Sequence, residues 1–280
     1  MSARTGTAGA RIPAAERIPV LLYHAVTDDP PGWIAPLTVR PSVFAAQLDA
    51  IVDSGRTPLT ATGLADALAG RRSLPERPVV ITIDDGFADL PRSTAPELAR
   101  RGLTATAYLT TGAIGLHGTD SGCLLPEAAM MTVDQVKETA DHGIEIGAHT
   151  ITHPQLDTLP RAAVRRELTV PKAALEDLLG LPVPAFAYPH GYSSRSVRRL
   201  VRAAGYSSAT AVRDALSSTR DEPYRIARIM LRADDTAADV EAWLRGASAP
   251  VAPYPDQLRT VGWRWYRRGR RLVRGTRFAG

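Results

Sequence analysis

Val79-Val80-Ile81-Thr82-Ile83-Asp84-Asp85-Gly86 is an apolar, β-branched run that stops abruptly on two adjacent carboxylates. Such a run reads as a strand buried on both faces, and successive residues leaving a strand diverge. One carboxylate can therefore face a metal while its neighbour faces a water. Further along, Glu145-Ile146-Gly147-Ala148-His149-Thr150-Ile151-Thr152-His153 is a second apolar run ending in two histidines. Their His-x-x-x-His spacing brings the imidazoles together if the segment takes one helical turn. One carboxylate and two imidazoles make a three-ligand set that leaves positions for water and substrate. That is the pattern of a catalytic divalent metal, Zn²⁺ first and Co²⁺, Mn²⁺ or Ni²⁺ as alternatives.

Working outward from these runs, strands and helices alternate. Ile18 to Tyr23 predicts a strand ending at His24. Phe44, Leu48, Ile51 and Val52 recur at helical spacing behind Ser42 as a cap, and Gly55 stops them. A helix from Pro91 to near Gly102, a strand at 104–109 and a loop at 111–130 follow, the loop long enough to rim a site. Thr132 caps a helix over 133–142, and further strands are predicted at 144–148, 184–188, 206–211 and 225–231. Helices at 161–179, 194–204 and 236–245 separate them or follow. This order predicts a parallel sheet closed into a (β/α) barrel. His24, Asp84, Asp85, His149 and His190 all fall just after the C-terminal end of a predicted strand, the face on which barrel sites are assembled.

The chain has 280 residues, 44% hydrophobic and 22% charged, which suits one substantial globular domain. Its single cysteine, Cys123, rules out an intramolecular disulfide. Residues 1–17 lack the apolar centre of a secretory signal and predict a disordered extension on a cytoplasmic protein, and no run approaches the ~20 apolar residues of a membrane span. The net charge of +5 is local, because residues 259–280 hold eight Arg and no acid. Interleaved with Trp263, Trp265, Tyr266 and Phe278, this tail is either a surface-packed or disordered extension or a contact with the membrane surface at its inner face. No nucleic-acid-binding motif accompanies the charge.

With these residues in place, the chain resembles the polysaccharide deacetylase family, whose members share a NodB-type domain. Thr82-Ile83-Asp84-Asp85-Gly86 is similar to the family's Thr-Phe-Asp-Asp-Gly, and Ala148-His149-Thr150-Ile151-Thr152-His153-Pro154 to its Ser-His-Thr-x-x-His-Pro. Phe186-Ala187-Tyr188-Pro189-His190-Gly191 is similar to its third motif. The resemblance spans 18–247, leaving 248–280 as a basic, aromatic C-terminal extension, and implies a distorted (β/α) barrel of the NodB type. It implies that Asp85, His149 and His153 hold the metal, that Asp84 is the base, and that the backbone N–H of His190 supports an oxyanion. Tyr188, Pro189 and Gly191 would contact substrate. The family's usual late histidine acid is missing, since no histidine follows His190. Leu22-Tyr23-His24-Ala25-Val26 instead resembles the early Tyr-His segment of the exopolysaccharide-acting subgroup, which makes His24 the candidate acid. Tyr224-Arg225-Ile226-Ala227-Arg228-Ile229 resembles that subgroup's late Arg-Ile segment, so Arg228 is expected to orient Asp84.

Each motif also has a plainer reading. Asp-Asp-Gly alone is usually a turn, and two histidines four apart are often a solvated helix face. Their joint occurrence at strand ends, with the third motif following, points to a metal site, and the resemblance implies a metal-dependent hydrolase that removes an N-acetyl group from a sugar. Hydrolysis of a non-sugar amide or cyclic imide, and a catalytically silent glycan-binding module, are the competing readings. Asp89 is expected either to hold the loop after the first motif or to lie on a surface helix, and His117 and His142 carry no chemistry.

Overall fold

The computed structural model describes residues 13, 16–115, 122–254, 262, 263, 266, 267 and 269. Its strands are β1 (Arg17–Ile18), β2 (Val20–Tyr23), β3 (Thr57–Leu59), β4 (Pro78–Ile83), β5 (Thr106–Leu109), β6 (Glu145–Ala148), β7 (Ala185–Ala187), β8 (Ser208–Val212), β9 (Ser217–Ser218) and β10 (Ile226–Met230). Between and after them lie α1 (Pro41–Asp53), α2 (Ala61–Leu68), α3 (Ala95–Arg100), α4 (Val133–Asp141), α5 (Arg161–Leu179), α6 (Arg195–Ala203) and α7 (Ala237–Leu244).

Seven parallel strands close into a barrel in the order β2-β10-β8-β7-β6-β5-β4 and back to β2. Closure is made by Tyr23 beside Ile83 and Ile229 beside Leu21. β3 flanks only the start of β4, and β1 pairs antiparallel with β9 just before β2 begins. The alternation within each strand sorts the core in two. Val20, Val80, Tyr108, Ala185, Ala187 and Ile226 pack in one cluster, while Leu21, Tyr23, Val79, Ile81 and Ile83 pack in the larger one with residues of the surrounding helices. Both faces are buried, which is why β4 is apolar at almost every position. Gly147 is required where it stands, since a Cβ there would come within 2.5 Å of the Tyr108 ring.

Most predicted elements appear within a residue or two of their expected bounds. Three differences have physical causes. Pro41, not Ser42, starts α1, because proline is preformed for the first helical position and Arg40 before it is extended. A widened helical turn, Leu90–Thr94, precedes α3. β3 and α2 were not expected: β3 is only three residues and contains Pro58, too short for an alternation to register.

Arg17, assigned by sequence to a disordered extension, lies in β1 and donates to the Gly246 carbonyl. At the other end the chain stays packed beyond 247, with Ala252 buried and its N–H donating to Leu216 O, and with Arg213 donating to Tyr254 O. No helix among the described residues is long and apolar enough to cross a membrane.

Candidate functional site

Strand phase decides what enters the mouth of the barrel. Asp84 continues the phase of Val80 and Thr82, and Arg228 that of Ile226, so both turn toward the lumen. They meet there in a two-pronged ion pair, Arg228 Nη1 to Asp84 Oδ1 at 2.7 Å and Nη2 to Oδ2 at 2.8 Å. Nη1 also donates to Thr82 Oγ1 at 3.1 Å, and the guanidinium lies over the Tyr108 ring at 5.5 Å. Arg228 is completely buried and Asp84 nearly so. Burial alone would raise the Asp84 carboxyl, but the charges of Arg228 and His149 and the Arg228 hydrogen bonds outweigh it and hold the group below the usual carboxylate range.

Asp85 leaves the strand with φ 74° and turns toward the two histidines. Its Oδ1 lies 3.5 Å from His149 Nε2 and 3.3 Å from His153 Nε2, and Asp84 Oδ2 is 3.8 Å from His149 Nε2. Asp85, His149 and His153 are buried, and their ligand atoms lie within 4.8 Å of one another. The donor set fits a cation. His149 Nδ1 faces the Ala187 carbonyl at 2.9 Å and so must carry the proton there, which leaves Nε2 as a bare lone pair. Burial lowers the basicity of both imidazoles, so neither supplies a proton to the carboxylate. No hydrogen bond reaches the buried Asp85 Oδ1, and burial with the neighbouring Asp84 pushes its carboxyl well above the usual range. Acceptors converging in this way are reconciled by a positive ion among them.

The expected helical turn at His149–His153 does not form. Thr150 and His153 have φ of 71° and 56°, and the segment is a loop folded on itself, the His153 N–H donating to Thr150 Oγ1 at 3.0 Å. The rings reach 4.9 Å separation by this loop geometry instead of by helical periodicity. Positive φ at a β-branched residue is costly and persists only where neighbours hold it. Glu167 of α5 does so, accepting from the N–H groups of Ile151 and Thr152 and from the Thr152 hydroxyl. The described ends of the 111–130 loop hold it from the other side, through Gly112 N–H to Ile151 O and Leu124 N–H to Thr152 O. Glu167 carried no sequence signal, since it belongs to an ordinary amphipathic helix.

Asp89 holds the loop after β4 to the one after β2, accepting from the Val26 N–H at 2.7 Å, and burial raises its carboxyl to about 6. His24 lies at the end of β2 within the field of Asp84, Arg228 and His149, and burial lowers its imidazole to about 4. His190 sits in a tight turn with φ 57°, its ring 4.7 Å from that of His153. Tyr188 and Pro189, expected to contact substrate, both lie beneath the surface. Tyr188 is fully buried, its hydroxyl donates to the Tyr224 carbonyl and its ring packs on Phe186, so it belongs to the core; Pro189 is buried as well. Gly191, with φ 72°, is fixed by packing, because a Cβ would come within 2.5 Å of the Val212 nitrogen. His142 caps the end of α4, and His117 lies outside the described residues.

One neighbour of the site was invisible in the sequence. Arg267, from the basic tail, is 6% exposed and makes a two-pronged ion pair with the buried Asp157 at 2.8 and 2.9 Å. Its guanidinium lies 3.5 Å over the Tyr192 ring, which in turn stacks 6.0 Å from His190.

A family model described as polysaccharide deacetylase matches residues 71–209. YxkH of Bacillus subtilis (strain 168), whose name marks it as an inferred polysaccharide deacetylase, is 25% identical over 213 residues, 76% of this chain and 71% of its own. Among solved structures, the Streptococcus pyogenes deacetylase PplD in complex with acetate superposes with a TM-score of 0.70 at 25% identity, over 81% of this chain and 97% of that one. IcaB from Ammonifex degensii superposes with a TM-score of 0.67 at 25% identity, over 82% of this chain and 97% of its own.

Proposed function

The chain belongs to the polysaccharide deacetylase family of carbohydrate deacetylases, and from that premise we propose a metal-dependent N-deacetylase that releases acetate from an N-acetylated glycan. The observation that carries this reading is the convergence of Asp85 Oδ1 with two histidine Nε2 atoms at 3.3 and 3.5 Å, beside a carboxylate clamped by Arg228. Asp85, His149 and His153 would hold the ion. A divalent cation bound there would polarise the acetyl carbonyl and acidify a water.

Asp84 is the assigned base. Arg228 keeps it ionised and fixes both of its oxygens, so its remaining lone pairs have one direction in which to accept a proton. The left-handed turn at His190 directs that residue's backbone N–H, assigned to the oxyanion formed when the acetyl carbon becomes tetrahedral. His24 is assigned to protonate the departing nitrogen. Its imidazole is neutral in the resting site, so the proton it delivers has to be acquired during turnover, from the water deprotonated at Asp84.

The test is acetate release by zinc-loaded protein from N-acetylglucosamine monomer, nucleotide-linked sugar, chitooligosaccharides and peptidoglycan fragments. Release that disappears with a chelator and in Asp84→Asn supports the reading. Release that persists in Asp84→Asn, or none from any glycan by the metallated protein, removes it.

A further inference from the structure

From the tail's placement we infer that Trp263 and Tyr266 form a sugar-binding platform at the rim of the catalytic mouth, a subsite for a glycan ring beyond the one being deacetylated. This rests on the glycan-deacetylase reading of the same site. Residues 262, 263, 266, 267 and 269 are helical, and positions 263, 266 and 267 share one face of a helical turn. Arg267 anchors that face through its buried ion pair with Asp157 and a further donation to Gln155 Oε1 at 3.2 Å. Trp263 adds a second tie, its indole N–H donating to the Tyr192 hydroxyl at 3.3 Å.

The result is a continuous line of rings leading out of the site. His153 is followed by His190 at 4.7 Å and Tyr192 at 6.0 Å; Trp263 bonds to Tyr192, and Tyr266 stacks on Trp263 at 5.0 Å with an interplanar angle of 22°. Among the described residues, Trp263 at 45% and Tyr266 at 56% exposure are the aromatic side chains left open to solvent. Exposed, mutually stacked aromatic faces beside a site call for an occupant. A pyranose ring offers one, because its C–H-bearing face is apolar and weakly positive while an aromatic face is electron-rich. A lipid headgroup fits less well: among the described residues, the cation adjoining the pair is Arg267, which is buried and paired with Asp157 and so does not meet a phosphate.

The experiment uses the full chain and a chitotetraose probe. Trp263→Ala and Tyr266→Ala should each lower the ratio of kcat/KM on the tetramer to kcat/KM on the monomer, mainly through KM. The drop expected for Trp263→Ala is about three- to tenfold, the size of one lost ring contact. Trp263→Phe, which keeps an aromatic face, should recover most of it. In parallel, calorimetry of chitotetraose binding compares Asp84→Asn with Asp84→Asn/Trp263→Ala, independently of turnover. Weaker binding in the double variant supports the platform even if no acetate is ever released, in which case only the deacetylase reading falls. An unchanged ratio together with unchanged binding overturns the platform while the deacetylase stands. Sedimentation with anionic vesicles that needs Trp263, with glycan binding unaffected, overturns it in favour of a lipid contact.

Discussion

Removing either half of the Arg228–Asp84 pair strands a charge inside the barrel, and the size of the penalty can be worked from the geometry. Both groups are essentially excluded from solvent, and two hydrogen bonds of 2.7 and 2.8 Å join them. At about 4 Å between charge centres and an effective dielectric near 20, their attraction is about 4 kcal/mol. Breaking such a pair by losing one partner costs about 3–5 kcal/mol, because the survivor keeps its desolvation penalty. Arg228→Met is therefore expected to lower unfolding stability by about 3–5 kcal/mol, and Asp84→Asn by a comparable amount. Arg228→Met/Asp84→Asn removes both charges together and should cost about 2–3 kcal/mol less than the sum of the singles. Urea unfolding followed by circular dichroism, in chelator so that ion binding does not contribute, measures all four proteins. Costs that add to within about 0.5 kcal/mol would refute the buried pair, since independent sites show that behaviour. The same cycle bears on catalysis, because Arg228 both ionises and aims the assigned base. Arg228→Lys should not restore turnover, as a single ammonium cannot reproduce the two-pronged grip.

Two further outcomes test other parts of the site. His24→Ala should slow amide deacetylation by about 10²- to 10⁴-fold while cleavage of an activated acetate ester, whose leaving group needs no proton, falls far less; equal losses on acetate-release and phenol-release assays would count against the acid role. Asp89 has a folded-state pKa raised from 3.8 to about 6, so the stability it contributes is full below about pH 4 and is lost as pH rises through about 6. Relative to Asp89→Asn, whose amide oxygen can still accept from Val26, the native protein should therefore lose roughly 1–3 kcal/mol between pH 4 and 7. Thermal melts across that range check this, and a difference between the two proteins that does not vary with pH would show that Asp89 is not held in the assigned environment.

What could be read in advance follows from how far a physical signal extends along the chain. The barrel was legible because strands buried on both faces leave continuous apolar runs, and because helices carry their stop signals locally, as Thr132 does in its capping box with Gln135. The strand ends holding Asp84, Asp85 and His149 were legible for the same reason, since Asp84 and His149 are the first polar residues after such runs and Asp85 follows Asp84 directly. Residues whose role depends on a distant partner left no mark. Tyr188 sits inside a motif that suggested substrate contact, yet its hydroxyl is fixed by a carbonyl 36 residues away, a contact that only the closed barrel creates. Glu167 reads as one more acid on a solvated helix until the 150–153 loop is seen lying over it.

Arg267 is the clearest instance. Among eight arginines in a tail without an acid, nothing in the sequence singles it out, and composition suggests either a surface-packed or disordered extension or a membrane-surface contact. Its partner Asp157 lies 110 residues earlier, in the turn that follows the His149–His153 loop, so Arg267 is held at the rim of the candidate site by one buried ion pair. A charge count therefore describes a tail only until one of its charges finds a buried counterion. From then on, the side chains beside that charge, here Trp263 and Tyr266, take their meaning from where the ion pair holds them.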